Sequence, residues 1–182
     1  HDRAIETRCD DSVARVVCGR PMLLRRSRGY VPRPVSVARR FTRPVLACGA
    51  LLKNTFCIGV NDSAYLGPHI GDLDSERVFR EYEASMARMA QFLDVTPEIV
   101  AHDLHPDYLS TRYAFGLPGA VTVGVQHHHA HVAAAMAEHG LTGPVLGLAF
   151  DGAGYGTDGA AWGGEHLVAD YAEFTRLATF RP

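Results

Sequence analysis

The chain has 182 residues, 47% of them apolar and 21% charged, with a formal net charge of −2, which excludes disordered, collagen-like and coiled-coil classes. The charge is unevenly divided. Residues 1–44 hold eleven Arg against Asp2, Glu6, Asp10 and Asp11, a balance of +7, while residues 45–182 carry −9. Such a split implies either two units with different partners or a basic strip docked on an acidic neighbour.

No run approaches the roughly 20 apolar residues of a membrane span, and HDRAIETRCDDS lacks the basic start and apolar core of a signal peptide. A cytoplasmic protein without a membrane partner is expected. His1 in place of Met, and an end at ATFRP, lead us to expect an excerpt of a longer protein. Cys9, Cys18, Cys48 and Cys57 match no C-x-x-C spacing and read as small apolar residues of a reducing compartment.

In chain order, residues 1–30 alternate short apolar runs with charges and reach RRSRGYVPRPV, where Pro32 and Pro34 forbid a continued helix or central strand. This stretch reads as the tail of one unit, with a linker over 36–44 that Pro44 closes. VLACGALLKNTFCIGV then places two β-rich runs, 45–48 and 55–60, around a turn containing Gly49, Lys53 and Asn54. Residues 74–93 set Val78, Phe79, Tyr82, Met86, Met89 and Leu93 at helical spacing after Asp74 or Ser75 as cap, a stripe that belongs to core packing. EIVAHDL follows as a buried strand and HPDYLSTRYAFG as a short helix ending near Gly116. A strand over 120–126, a helix over 127–140 stopped by Gly140 and a strand over 144–150 complete the pattern. A strand pair joined by such a crossover is normally parallel, so the acidic part is expected to be α/β.

Four His fall in five positions at the start of that helix, and His127 and His131 are four apart. That spacing puts them on one face with Cβ atoms about 5–6 Å apart, from which two imidazoles can chelate one metal. Asp151 ends the next strand, and parallel strands gather ligands at their C-terminal ends, so it should emerge at the same sheet edge. Two imidazoles and a carboxylate suit zinc or ferrous iron. The competing reading is one packed core His with surface neighbours. His128 and His129 point elsewhere on the helix, as bystanders or groups that orient a ligand.

DGAGYGTDGAAWGGE then supplies Gly at 152, 154, 156, 159, 163 and 164, and consecutive Gly let backbone N–H groups approach a phosphate. GYGTDG formally matches G-x-G-x-x-G but no helix follows it, which excludes a dinucleotide fingerprint. A phosphate-cradling loop beside a metal and a plain Gly-rich hairpin both remain. Lys53, the only lysine, reads either as a cation for a nucleotide phosphate or as a solvated turn residue. No G-x-x-x-x-G-K-[ST] is present. His69 and Asp72 either line the same cleft or cap the following helix. The basic strip suits an adenylate or other phosphate ligand, and its lone aromatic, Tyr30, argues against a nucleic-acid partner.

LRRSRGYVPRPV, ACGALLKNTFC, HIGDL, VQHHHAHVAA and AFDGAGYGTDGAAWGGE, in that order, resemble the hydrogenase maturation carbamoyltransferases of the HypF family, over essentially the whole chain. The resemblance implies that residues 1–35 end a YrdC-like adenylation domain, which forms carbamoyl adenylate from ATP and a carbamoyl phosphate-derived substrate. After the linker at 36–44, residues 45–182 then form the first lobe of a Kae1-like domain of actin and sugar-kinase type, with a mixed sheet and crossover helices. It implies transfer of the carbamoyl group to the C-terminal cysteine of the partner HypE, toward the cyanide ligands of nickel–iron hydrogenase.

The resemblance also implies His127, His131 and Asp151 as metal ligands, with a further carboxylate from a second lobe. A nucleotide, with Mg2+ accompanying ATP, would lie near Lys53, Gly152, Gly154, Gly156, Asp158 and Gly159. Arg25, Arg26 and Arg28 would face the adenylate site. Ala153 departs from the family pattern, where Thr is expected. Sister activities of the same architecture, antibiotic O-carbamoylation and tRNA threonylcarbamoylation, are the alternatives, together with a metal-binding fragment that does not turn over by itself.

Overall fold

The computed structural model describes residues 2, 3, 7, 8 and 10–180. Cys9 therefore lies outside the described residues. Strands β1 (Val13–Val17) and β2 (Arg20–Arg25) form an antiparallel hairpin, closed by Cys18 and Gly19, both with positive φ (50° and 75°). Two left-handed residues match the right-handed twist of the flanking strands.

Strand β3 (Val35–Ala47) pairs antiparallel with β4 (Cys57–Leu66), which bears out the expected hairpin with longer arms. The stretch 36–44, expected as a linker, is instead the first part of β3. Pro44 is tolerated within the strand because the β3–β4 register shifts between Phe41 and Val45, where no ladder donor is required. Its carbonyl accepts from the Glu98 N–H at 3.0 Å.

Helix α1 (Glu76–Leu93) begins at the cap Ser75, whose hydroxyl accepts from the Val78 N–H. Tyr82, Met86 and Met89 are buried with Leu46, Phe56, Ile58, Leu73 and Val100 in the main core, and Val78, Phe79 and Leu93 pack against it. The stripe is a core face, as expected. Strand β5 (Ile99–Asp103), helix α2 (Leu109–Gly116), strand β6 (Val121–Val125) and helix α3 (His127–Glu138) follow. The sheet order is β4-β3-β5-β6, with β3, β5 and β6 mutually parallel and β4 antiparallel, so the sheet is mixed.

Strand β7 (Val145–Tyr155) does not continue that sheet, contrary to the expected parallel crossover from β6. It pairs antiparallel with β8 (Ala161–Ala169), which pairs with β9 (Phe174–Thr179), as a separate three-stranded sheet. The right-handed crossover rule applies only to strands of one sheet. Here β7 pairs with β8, the strand that follows it, and α3 packs Val132 and Met136 on Leu167 and Ala169. No described helix is long and apolar enough to cross a membrane.

Candidate metal centre

One strand end and one strand irregularity bring the expected ligands together. Strand β6 ends at Val125, and Gln126 caps α3 by accepting the His129 N–H at 2.8 Å, which places His127 in the first turn and His131 one turn later. Asp151 arrives from the second sheet, not from the same sheet edge as expected. It lies where the β7–β8 register breaks between Phe150 and Gly154, so the strand bends toward the helix. Asp151 Oδ2 is 2.8 Å from His127 Nε2 and 3.7 Å from His131 Nε2, and one donor atom from each residue lies within 4.8 Å of the others. His127 and Asp151 are largely covered, whereas His131 opens to solvent. Two imidazole nitrogens and a carboxylate oxygen on one side of a helix fit a divalent ion of zinc or iron type.

One contributor was not singled out in the sequence. Asp103, at the C-terminal end of β5, has its Oδ2 2.6 Å from His127 Nδ1, and its Oδ1 accepts the His105 N–H at 2.8 Å. The signal was present, because the rule that ligands gather at parallel strand ends applies to β5 as it does to β6. The hydrogen bond to Asp103, opposed by burial, holds the His127 imidazole above its ordinary pKa. Burial pushes Asp151 upward, but the Gly152 N–H and the neighbouring histidines outweigh it and keep the carboxyl below its usual range.

His128 and His129 are buried pins whose ring nitrogens bond to backbone carbonyls and not to the triad, although the His128 ring lies 5.8 Å from that of His127. His128 Nε2 lies 2.9 Å from the Gly163 carbonyl and His129 Nε2 2.7 Å from that of Asp170, so both rings tie α3 to β8 and the turn after it. Burial lowers the His128 pKa and keeps the ring neutral.

The glycine run is a hairpin. Gly152 and Gly154 lie in β7, and Gly156, Asp158 and Gly159 form the turn into β8. A Cβ on Gly154 would come within 2.5 Å of His128 Cε1, and one on Gly156 within 2.1 Å of Trp162 Nε1, so close packing accounts for these two positions. Asp158 accepts from Trp162 Nε1 at 2.9 Å and from the Ala160 N–H at 3.1 Å, and faces Arg176 at 3.7 Å. Those donors, the Ala160 N–H foremost, hold its carboxyl low.

Lys53 has a left-handed backbone (φ 49°), and its N–H donates to Asp72 Oδ1 at 2.7 Å, leaving the side chain exposed. Asp72 thus closes this turn, and Ser75 caps α1. The His69 N–H reaches the Arg26 carbonyl at 3.3 Å, and burial together with the charge of Arg25 lowers the His69 pKa. Among the described residues, His69 and Asp72 make no contact with the triad. Arg26 Nη2 donates to the carbonyls of Arg33 (2.9 Å) and Tyr30 (3.4 Å), and Arg28 pairs with Asp11 at 3.4 Å. The first two arginine contacts stabilise the bend at 30–33. Beside the triad, a cavity of about 410 Å³ is walled by Gly49, Ala50 and Thr55 of the β3–β4 connection, by Ala101 and by His127 and His131.

Comparison with known proteins shows the family. Residues 40–138 match the family model of the HypF Kae1-like domain, and residues 147–182 match that of the second subdomain of the carbamoyltransferase Kae1-like domain. The chain belongs to the HypF family. The second match begins within β7, the first strand of the second sheet. The HypF carbamoyltransferase of Rhizobium leguminosarum bv. viciae is 48% identical and that of Synechocystis sp. 44% identical, each over the whole of this chain. The chain spans 24% of the length of each. A crystal structure of full-length HypF in the phosphate- and nucleotide-bound form superposes with a TM-score of 0.91 at 46% identity, covering 97% of this chain and 28% of that one.

Proposed function

We propose that this chain supplies the metal-binding part of a carbamoyltransferase that passes a carbamoyl group from carbamoyl adenylate to the C-terminal cysteine thiol of HypE. ATP and carbamoyl phosphate are the sources of the adenylate. The observation that carries the reading is the convergence of His127, His131 and Asp151 within 4.8 Å in a HypF-family chain. These three residues would hold a zinc or iron ion. Bound there, such an ion supplies Lewis acidity, which offsets negative charge on phosphoryl and carbonyl oxygens.

In this reading the acceptor sulfur forms its bond to the carbamoyl carbon as the bond to AMP breaks. AMP leaves with the electron pair, and the thiol proton passes to solvent. The cavity beside the triad has the size of a small-ligand site and admits a carbamoyl group together with the end of a peptide. Ala101 and the chain around Gly49 restrict water on one side, and the histidines orient polar atoms on the other. Lys53 extends an exposed ammonium from the connection that walls the cavity and is the candidate contact for a nucleotide phosphate, with Mg2+ accompanying ATP.

The test is His127→Ala and His131→Ala in the full-length protein, with metal content and the mass increase of HypE measured on the same preparations. Both quantities should fall together to background. Wild-type carbamoylation by a metal-free variant would end the proposal.

A further inference from the structure

The geometry points to Asp103 as the positioning residue of the centre, holding the hydrogen on His127 Nδ1 so that Nε2, on the side of Asp151 and His131, is the ring atom that a metal takes. This inference rests on the metal-binding reading above and extends it to a residue outside the ligand set.

Asp103 Oδ2 and His127 Nδ1 are 2.6 Å apart, and an ionised carboxylate can only accept, so the hydrogen between them belongs to the imidazole. By the same rule Nε2, 2.8 Å from Asp151 Oδ2, donates to that carboxylate, and when a metal displaces this hydrogen the one on Nδ1 stays with Asp103 and the Nε2 lone pair becomes the ligand. Metal-bound histidines commonly rely on such a carboxylate to set the tautomer and the ring direction.

Asp103 is itself held from several sides. Its side chain is 5% exposed, its Oδ1 accepts the His105 N–H at 2.8 Å, and its own carbonyl accepts from Thr111 Oγ1 at 3.0 Å and lies 2.7 Å from His102 Nδ1. Both carboxylate oxygens are therefore committed, one to the ligand histidine and one to the loop after β5. The loop carries the His105 and Tyr108 rings, stacked at 4.1 Å with an interplanar angle of 2°, and His105 lies 5.2 Å from Tyr155 of the second sheet. Asp103 so joins the ligand histidine to the segment that bridges the two sheets.

The double commitment makes an isosteric substitution informative. In Asp103→Asn the His105 N–H still requires an acceptor, so the amide oxygen takes the Oδ1 place and the NH2 group faces His127. An NH2 group donates, which forces His127 Nδ1 to accept and moves the ring proton to Nε2, where it blocks ligation.

The experiment uses the full-length protein and titrates Zn2+ against a competing chelator. The visible spectrum of the Co2+-substituted protein reports ligand geometry, and circular dichroism reports the fold. Asp103→Asn should bind Zn2+ about 10–100-fold more weakly, with an altered Co2+ spectrum and an unchanged fold. Asp103→Glu keeps an acceptor-only group and should bind more tightly than the Asn variant. It also serves as the reference if the Asn variant does not fold, since a folded Asp103→Glu must then exceed a folded Asp103→Ala in affinity. Wild-type affinity in Asp103→Asn, or equal losses in Glu and Ala, overturns the inference. Unaltered Zn2+ binding by both His127→Ala and His131→Ala overturns the metal reading itself, so the two failures are distinct.

Discussion

Replacing Gly154 by Ala tests whether the glycine run packs the centre or cradles a ligand. Gly154 lies opposite Trp162 in the β7–β8 ladder, and an added Cβ would stand 2.5 Å from His128 Cε1, 2.8 Å from His128 Nδ1 and 3.0 Å from His127 Cβ. The His128 ring is fully buried and anchored on the Gly163 carbonyl at 2.9 Å, so it has no free direction in which to yield. His127 Cβ is rigidly attached to the first turn of α3, so relief requires the helix start and β7 to separate. Overpacking of this kind costs about 1–3 kcal/mol, which converts to roughly 5–150-fold faster amide exchange where local opening controls it. Hydrogen exchange of the first turns of α3 and of β8 in the full-length protein measures this directly. Gly152 is the internal control, because a Cβ there meets nothing within 4 Å and its φ is not in the left-handed range. Gly152→Ala should stay within about 0.5 kcal/mol of the parent. If both variants exchange like the parent but lose nucleotide-dependent activity to the same degree, the packing argument fails and the run is a backbone cradle.

Two further outcomes follow from buried groups away from the triad. Glu165 is fully buried and receives Arg176 at 2.6 and 3.0 Å, Thr179 Oγ1 at 2.9 Å and the Gly163 N–H at 3.2 Å. Glu165→Gln should destabilise by about 3 kcal/mol, the low end for breaking a buried pair, because Arg176 keeps Asp158 and the Trp162 ring as partners. Burial pushes the Glu165 carboxyl upward, but Arg176 and Thr179 outweigh it and depress it below the ordinary 4.5. The stabilisation is therefore complete above that pH and fades as pH falls through the lower folded value. Denaturant melts of parent and variant should converge in acid, and a constant gap down to pH 2 would contradict the assignment. Burial also raises Cys48 and Cys57 to about 11, whereas Cys18 is exposed. Iodoacetamide at pH 8 should alkylate Cys18 and spare the other two until the chain unfolds, because about one thiol in a thousand is then ionised at either site. Equal labelling of Cys48 and Cys18 by peptide mass would refute this.

The elements legible in the sequence are those whose information is local. The stripe from Val78 to Leu93 with Ser75 ahead of it specifies α1 within 19 residues, and the structure places the cap there. The His127–His131 spacing is equally local, since one helical turn sets it. The errors are of longer range. Pro44 reads locally as a stop, and only the register shift opposite β4 shows why a strand accommodates it. The hydrophobic run 144–150 is a strand in either sheet, and its partner is decided by the β8 segment that follows. Asp103 meets His127 across 24 positions through the pairing of β5 with β6, which puts Asp103 beside Val125. Periodicity carries no trace of such a contact, but topology does.

The same distinction bears on the glycines after Asp151. Composition alone makes Gly152, Gly154, Gly156 and Gly159 equivalent, and a phosphate loop is the reading that uses them all. In the fold they differ. Gly159 has φ +78° in the turn, Gly154 and Gly156 face rings that leave no room for a Cβ, and Gly152 meets nothing. The two crowded positions bracket Tyr155, whose carbonyl accepts from Gln126 Nε2 at 3.3 Å, and Gln126 is the cap that starts the histidine helix. Glycine here lets the second sheet approach α3 closely enough for Asp151 to reach His127. A metal-binding reading drawn from the histidines thus depends on the glycines through packing, whether or not their N–H groups meet a phosphate. Widening that approach at Gly154 should separate the carboxylate from the imidazoles even though no ligand is replaced.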